Sequence, residues 1–187
     1  MKINSFSGEY DFLRNDFECN VLFDGEVYSS VEHAFQAAKV SDLEKRKEIR
    51  DASSIKEMRK IGRSVKLPDN WVNDRIEVMK KLLQSKFNDN LALKFQLALT
   101  GDSDLVQGGM TNGDRFWGVD EFGVGENKLG QLLMEVRQEI ADSVDAGCLN
   151  EVAPEMLKGL IEDQCVGFLL DHIKWVQKDG TEISLNA

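Results

Sequence analysis

The chain has 187 residues, of which 42% are hydrophobic and 30% charged, and its formal net charge is −10 at pH 7. This length fits one domain with a small appendage. The acidic balance disfavours sequence-independent binding of duplex nucleic acid, which relies on neutralising phosphates. No run of about 18 apolar residues predicts a transmembrane helix. Because the first residues also lack the apolar run of a signal peptide, we expect a cytoplasmic protein with no membrane partner.

Residues 1–30 are expected to be extended and to contain a β-hairpin. Hydrophobic residues flank Asp24-Gly25, a dipeptide typical of two-residue hairpin turns. Ser29-Ser30 then offers a helix N-cap, and apolar residues recur at helical spacing over 31–38. The pattern therefore predicts that Glu32 lies in the first turn of a helix.

Four more helical segments are predicted between residues 41 and 99. A charged helix is predicted over 41–51. Ser53-Ser54 caps the next helix, which Gly62 is expected to end. The clearest apolar periodicity covers 71–87, and a short helix is predicted over 91–99.

A glycine-rich stretch separates these helices from the last part of the chain. Seven glycines fall within 100–128, which also holds Phe116-Trp117. Long loops of this kind are uncommon in compact domains and are often functional. Helical patterns return over 129–140 and 153–172, and 173–185 predicts a terminal hairpin.

These elements together predict a mainly α fold of the α+β class. We expect residues 1–140 to form the domain, with its small N-terminal β-hairpin. Residues 141–187 are expected to form a helix-hairpin extension, packed on the domain or at an oligomer interface. The sequence leaves the oligomeric state open.

The first candidate for chemistry is the helix that begins near residue 31. Spacings of three, four and seven residues place Glu32, Gln36 and Lys39 along one face. This face could form the polar wall of a pocket, or it could be an ordinary solvated surface. His33 could act as a base, although a lone histidine on a helix is more often a packed residue with one hydrogen bond.

The second candidate is the glycine-rich stretch around Trp117. Glycines allow backbone amides to approach a phosphate or base closely, and an indole stacked on a base contributes roughly 1–3 kcal/mol. The alternative is an aromatic plug under a long loop. Residues 41–95 carry a net charge of about +5, which favours either a site for a phosphorylated ligand or a solvated helical surface.

Motif blocks occur in a fixed order from Phe6 to Arg137. They are Phe12-Leu13-Arg14-Asn15, Asp24-Gly25, Val31 to Lys39, Gly62-Arg63, Trp71, Val78-Met79, Lys86-Phe87, Asp114, Trp117-Gly118, Gly125, Asn127, Leu129-Gly130, Leu133-Met134 and Arg137. In this combination the chain resembles the NADAR family, also called YbiA-like proteins. The resemblance does not extend to residues 141–187.

The resemblance implies a mainly helical fold and hydrolysis of the N-glycosidic bond between a ribose phosphate or ADP-ribose and a nitrogen base. Known substrates of the family include phosphoribosylamino intermediates of riboflavin synthesis and ADP-ribose attached to guanine. The implied partners are therefore a small nucleotide or ribosylated base, or an ADP-ribosylated nucleic acid. No metal and no cofactor are expected.

The resemblance also implies site residues. Glu32 matches the family's glutamate, and Lys39 lies on the same helical face. Many members carry an acid directly after Trp-Gly, where this chain has Val119, so Asp114 or Asp120 is expected to take its place, or neither. The residues expected to bind substrate are Arg14, Asn15, His33, Gln36, Arg63, Trp117, Gly118 and Asn127.

Two other functions remain open at this point. A non-catalytic sensor of ADP-ribose or another NAD derivative would use the same pocket, with Val119 marking the lost chemistry. An interaction protein would use the apolar residues of 141–187. We rank the enzyme first, the sensor second and the interaction role third.

Overall fold

The computed structural model describes residues 1–108, 114–145, 175–176 and 182–183. This part of the chain is mainly helical with a few short strands, which confirms the predicted α+β class. The chain divides into two compact units, Met1–Ile140 and Ala141–Ala187. None of the described helices is long and apolar enough to cross a membrane.

The first unit consists mostly of helices, and its strands are only two or three residues long. In chain order they are β1 (Lys2–Ile3), a 3-10 helix (Gly8–Leu13), β2 (Val21–Phe23), β3 (Glu26–Tyr28), α1 (Val31–Ala38), α2 (Leu43–Arg50), α3 (Ile55–Ser64), α4 (Trp71–Asn88), α5 (Leu91–Leu99), β4 (Asp104–Leu105) and α6 (Lys128–Asp145), whose last five residues belong to the second unit.

The predicted hairpin is confirmed. Strands β2 and β3 pair antiparallel, with Val21 opposite Tyr28. Asp24 and Gly25 have φ of 49° and 80°, and a two-residue turn with both central residues in the left-handed region matches the twist of the strands. Val21 and Tyr28 are buried, so this pair joins the hairpin to the core.

Helix starts agree with the predicted caps, whereas one predicted helix end is wrong. The hydroxyls of Ser30 and Ser54 accept hydrogen bonds from backbone N–H groups in the first turns of α1 and α3. Gly62 does not end α3, which continues to Ser64. A Cβ at position 62 would collide with the side chain of Gln36, so this glycine provides room for α1 to pack rather than a helix stop.

The expected extended conformation of residues 1–30 is wrong over Gly8–Leu13, which forms the 3-10 helix. The parallel pairing of β1 with β4 was also not predicted: Lys2 lies opposite Asp104, and Ile3 opposite Leu105. Two-residue strands are too short to show an alternating pattern. This pairing fixes the chain where the glycine-rich stretch begins.

Helix α1 lies at the centre of the first unit. It packs against α2, α3, α4 and the hairpin. Ala34 and Ala37 are fully buried, and their small side chains allow the neighbouring helices to approach closely. Leu82, Leu83 and Phe87 bring α4 into the same core. The remaining face of α1 carries the polar residues described below.

In the second unit the described residues include an antiparallel strand pair. Strand β5 (Trp175–Val176) pairs with β6 (Glu182–Ile183), in agreement with the predicted terminal hairpin. The predicted helix over 153–172 lies outside the described residues. The packing of the extension on the domain, or at an oligomer interface, stays a prediction.

Candidate active site

A cavity of about 680 Å³ lies where α1, α3, the segment after the 3-10 helix and the glycine-rich stretch meet. It is large enough for a nucleotide-sized ligand. Its lining consists of Ser5, Phe6, Arg14, Asn15, Asp16, Glu32, Phe35, Gln36, Lys39, Arg59, Arg63, Met79, Gln107, Gly108, Asp114, Trp117 and Leu129.

Glu32 lies in the first turn of α1, and its side chain is only 13% exposed. Its Oε1 accepts hydrogen bonds from Gln36 Nε2 at 3.2 Å and Arg59 Nε at 3.1 Å. Its backbone N–H donates to the carbonyl of Asn15 at 2.7 Å, which joins α1 to the segment before β2. The carboxylate therefore has a fixed place in the cavity wall.

Lys39 is connected to Glu32 through Gln36. Its Nζ donates to Gln36 Oε1 at 2.8 Å and lies 5.1 Å from the ring centre of Phe35. Burial lowers the pKa of Lys39, the neighbouring Arg63 lowers it further, and Glu32 opposes the shift. A larger fraction of this amine is therefore neutral than at an exposed lysine.

The arginines of the cavity differ in how their charge is compensated. Arg14 forms a bidentate pair with Asp16, at 2.8 and 2.9 Å, and this contact lowers the pKa of the Asp16 carboxyl. Arg59 pairs with Glu32. Arg63 lines the cavity, and no ion pair or hydrogen bond of its side chain occurs within the described residues. Its position best suits an incoming anion.

Asn15 contributes a buried acceptor to the cavity. Its Oδ1 has no hydrogen-bond partner within the part of the chain that the structure describes, whereas its Nδ2 lies 3.7 Å from Met79 Sδ. Both residues line the cavity. An unsatisfied buried acceptor costs about 1–3 kcal/mol, so a hydroxyl or N–H of a ligand would relieve this cost.

Trp117 lines the cavity and also packs on its neighbours. Its ring meets Phe35 edge-to-face, with centroids 5.6 Å apart at 90°, and Phe116 at 4.9 Å and 86°. The two interpretations of Trp117, a stacking partner for a base and an aromatic plug under the loop, are therefore compatible. The neighbouring aromatic rings fix the orientation of an indole that remains partly accessible to a ligand.

Asp114 also lines the cavity, but part of its hydrogen-bonding capacity serves the chain itself. Its Oδ1 accepts from the backbone N–H groups of Phe116 and Trp117, at 3.3 and 3.2 Å. This contact holds the turn that presents the indole. The second oxygen of Asp114 is the one left for a ligand.

Asp120 does not belong to the cavity lining. Its Oδ1 accepts from the backbone N–H groups of Phe122 and Val124, at 3.0 and 2.8 Å, and its Oδ2 pairs with Arg115 at 2.6 Å. These contacts lower the pKa of its carboxyl. The structure thus uses Asp120 to close a tight loop.

Asn127 and Gly118 do not belong to the cavity lining. Asn127 has φ of 50°, its Oδ1 accepts from the backbone N–H of Gln107 at 3.0 Å, and its Nδ2 donates to the carbonyl of Leu105 at 2.9 Å. Gly118 accepts from the backbone N–H of Asn127 at 3.3 Å. A Cβ on Gly125 would collide with the Gly118 carbonyl. These groups shape the stretch rather than face a ligand.

His33 is 6% exposed and is absent from the cavity lining. Its Nδ1 lies 2.8 Å from the hydroxyl of Ser30 and 3.2 Å from that of Ser29. Burial lowers its pKa, so the imidazole is neutral near pH 7. The packed interpretation of this histidine fits its position better than substrate binding does.

Several lining residues were not predicted from the sequence. Arg59 could have been found, because it precedes Arg63 by one helical turn. Phe35, Met79 and Leu129 lie within helical patterns and motif blocks, but these patterns predict apolar packing and not a place in the cavity lining. The remaining lining residues lie outside the helical patterns and motif blocks: Ser5, Phe6, Asp16, Gln107 and Gly108. Among the described residues, no group of three His, Cys, Asp or Glu side chains is placed to hold a metal ion.

Comparison with known proteins gives a consistent result. Residues 2–141 match the model of the NADAR domain family. The N-glycosidase YbiA of Escherichia coli (strain K12) is 37% identical over 139 residues, which cover 73% of this chain and 86% of the relative. A riboflavin biosynthesis protein of Vibrio vulnificus (strain YJ016) is 32% identical over 71% of this chain, but the match spans only 36% of that longer protein.

The fold has a solved counterpart. The NMR structure of the E. coli protein YbiA superposes with a TM-score of 0.67 at 34% sequence identity. The superposition covers 76% of this chain and 88% of that structure.

Proposed function

The chain belongs to the NADAR domain family, and from that membership we propose that it is an N-glycosidase. It hydrolyses the bond between a ribose phosphate or ADP-ribose and a nitrogen base. One observation supports the proposal above the others: Glu32, 13% exposed, is fixed in the wall of a nucleotide-sized cavity.

The carboxylate of Glu32 suits the transition state of this reaction. Cleavage of an N-glycosidic bond passes through an oxocarbenium-like state with positive charge at the anomeric carbon. A fixed carboxylate interacts more strongly with that charge than with the neutral substrate, and such a difference accelerates a reaction. In this proposal Glu32 lies below the anomeric carbon and stabilises the charge, or acts as base toward water.

Lys39 has two possible roles. Its ammonium could hold the ribose or its phosphate. Alternatively, its neutral amine could bond to the anomeric carbon as the base leaves with a proton. The sugar ring would then open to a Schiff base that water hydrolyses. The lowered pKa of Lys39 supports the second route. Borohydride reduces a Schiff base to a stable covalent adduct, so trapping in the wild type that falls in Lys39→Arg would indicate the Schiff base, and no trapping would indicate that Lys39 only binds the substrate.

The remaining lining residues would bind the substrate. Trp117 would stack on the leaving base, Arg63 would bind phosphate, and Asn15 Oδ1 would accept a hydrogen bond from the ribose or base. Asp114, with one oxygen left over, is the acid of the glycine-rich stretch that lines the cavity and could donate a proton to the leaving base.

A small phosphoribosylamino compound is the first choice of substrate. The net charge of −10 disfavours an extended phosphate backbone, and a riboflavin biosynthesis protein is among the relatives. Guanine bearing ADP-ribose, free or at the end of a nucleic acid, is the second choice, because it presents the same bond.

The test incubates the protein with both substrate classes and follows the released base by mass spectrometry. Release that Glu32→Gln abolishes supports the enzyme. Tight calorimetric binding of ADP-ribose with no release from any substrate would contradict it and favour the sensor.

A further inference from the structure

One contact of the site works against the proposed chemistry. Arg59 Nε lies 3.1 Å from Glu32 Oε1. A guanidinium this close offsets the negative charge that Glu32 would direct at a sugar cation. The guanidinium and the sugar cation are both positive, and like charges a few ångströms apart repel each other. The carboxylate can act at full strength only when Arg59 has left.

The two partners of this pair differ in freedom. The Glu32 side chain is 13% exposed, whereas that of Arg59 is 43% exposed. Glu32 also has a second donor, because Gln36 Nε2 remains on the same oxygen at 3.2 Å. Loss of the ion pair would therefore move Arg59 and leave the carboxylate in place.

A second position for Arg59 exists on its own helix. Arg63 follows it by one turn of α3, both side chains line the cavity, and Arg63 has no ion pair within the described residues. Side chains four residues apart on a helix are neighbours. Two neighbouring guanidinium groups match the oxygens of a phosphate.

Arg14 and Lys39 also line the cavity, but they are less suited to bind this phosphate. Arg14 is held by both oxygens of Asp16, and Lys39 donates to Gln36. An incoming phosphate would have to break those contacts without any benefit to Glu32. Breaking the contact of Arg59 instead frees the carboxylate.

We propose that the phosphate of the substrate binds between Arg59 and Arg63 and draws Arg59 away from Glu32. Without a phosphate the Glu32 carboxylate stays paired with Arg59, and a phosphorylated substrate breaks this pair. This inference rests on the proposed function and adds a selection step: phosphate changes the rate of the chemical step as well as the affinity. A group that only anchors the substrate would change KM alone.

The kinetic experiment compares one ribosylated base with and without its 5′-phosphate. In the wild type, loss of the phosphate should lower kcat by about tenfold or more, the effect of roughly 1.4 kcal/mol on the barrier. Arg59→Ala should raise kcat on the unphosphorylated substrate above that of the wild type and remove most of the difference between the two substrates. Arg63→Ala should mainly raise KM for the phosphorylated substrate.

Lys60→Ala is the matched control, because it removes an exposed positive charge from the same helix outside the cavity. It should behave as the wild type on both substrates. A fall in kcat on both substrates with Arg59→Ala would overturn the proposal, since it would show that Arg59 only holds Glu32 in place.

A measurement without turnover separates this inference from the proposed function. Ribose 5-phosphate is titrated into the protein while the Nε–H signals of arginine are followed by NMR. Signals of both Arg59 and Arg63 should shift, and the Arg59 shift should persist in Arg14→Lys. A shift confined to Arg63 would refute the exchange of partners, whereas the expected shifts without cleavage of any substrate would refute only the enzyme.

Discussion

Two walls of the cavity use their polar residues differently. The helical wall consists of Glu32 and Gln36 on α1, Lys39 at the C-cap of α1, and Arg59 and Arg63 on α3. The loop wall is the stretch 114–127, in which Asp114 and Trp117 line the cavity and the neighbouring residues support them. In the helical wall the side chains of Glu32, Gln36, Lys39 and Arg59 contact one another, and Arg63 has no ion pair or hydrogen bond among the described residues. In the loop wall Asp114, Asp120 and Asn127 form hydrogen bonds with backbone groups.

The difference has a physical cause. A helix satisfies its own backbone hydrogen bonds, so its side chains are free for a ligand. An irregular stretch cannot satisfy its backbone hydrogen bonds in this way, and buried backbone groups without partners lower the stability of the fold. Asp120 and Asn127 therefore supply the hydrogen bonds that the loop backbone lacks. We therefore expect changes in the helical wall to affect turnover, and changes in the loop wall to affect stability.

The largest effect is expected at Glu32. Glu32→Gln keeps the shape and the contact with Gln36 but removes the charge. We expect kcat to fall by about 10²- to 10³-fold, or about 3–4 kcal/mol, as for other fixed groups that stabilise transition-state charge. The melting temperature should change little. Base release measured by chromatography and thermal unfolding check the two expectations.

A matched control is Glu48→Gln, which neutralises an exposed carboxylate on α2 outside the cavity. It should keep the wild-type rate. Wild-type turnover in Glu32→Gln would contradict a catalytic role for the helical wall.

The two walls also differ in how far the sequence predicts them. Helical spacing alone placed Glu32, Gln36 and Lys39 on one face, and the structure has all three in the cavity lining. The same spacing would have found Arg59. Asp120 and Asn127 were expected in the site because of their chemistry and their place in the motif. Only the positions of nearby backbone N–H and carbonyl groups show that these side chains are engaged.

The same limit applies to the fold. The Asp24-Gly25 turn and the helices from 31 to 99 follow from local patterns, and the structure confirms them apart from the end of α3. The pairing of β1 with β4 joins residues about a hundred positions apart through two-residue strands. No local pattern encodes such a contact, although it fixes the start of the loop wall.

Lys86 is a polar residue on a helix that stabilises the fold and does not line the cavity. It is fully buried on α4, and its Nζ donates to the carbonyl of Arg14 at 2.7 Å. Burial lowers its pKa to about 8. Between about pH 8 and 10.5 the unfolded chain binds more protons at this site than the folded one, so the lysine makes the free energy of unfolding rise with pH.

The rise should be at most roughly 3 kcal/mol, at about 1.36 kcal/mol for each unit of pKa shift. Burial raises the pKa of the Cys19 thiol, which acts in the opposite direction. The measurement is therefore the difference between wild type and Lys86→Met in urea unfolding at several pH values. A difference that stays constant from pH 7 to 10 would contradict a lowered pKa.

A smaller effect is expected at Asn127. Asn127→Ala removes hydrogen bonds to Gln107 and Leu105 and places alanine at a φ of 50°. We expect a loss of about 2 kcal/mol in the free energy of unfolding. Asn73→Ala, at an exposed site on α4, should change little. A stable Asn127→Ala with poor turnover would instead assign this amide to the substrate.

The smallest effect is expected from Asp120→Asn. The amide oxygen can still accept from the backbone N–H groups of Phe122 and Val124, so only the charge opposite Arg115 is lost. The melting temperature should fall less than in Asn127→Ala, because substitutions near the surface usually change stability by about 0.5 kcal/mol or less. Since Asp120 does not line the cavity, kcat should stay close to that of the wild type. Asp114→Asn is the informative partner, since Asp114 lines the cavity. If Asp120→Asn lost turnover while Asp114→Asn kept it, the acid of the reaction would lie in the part of the loop that the structure assigns to folding, and the division between the two walls would fail.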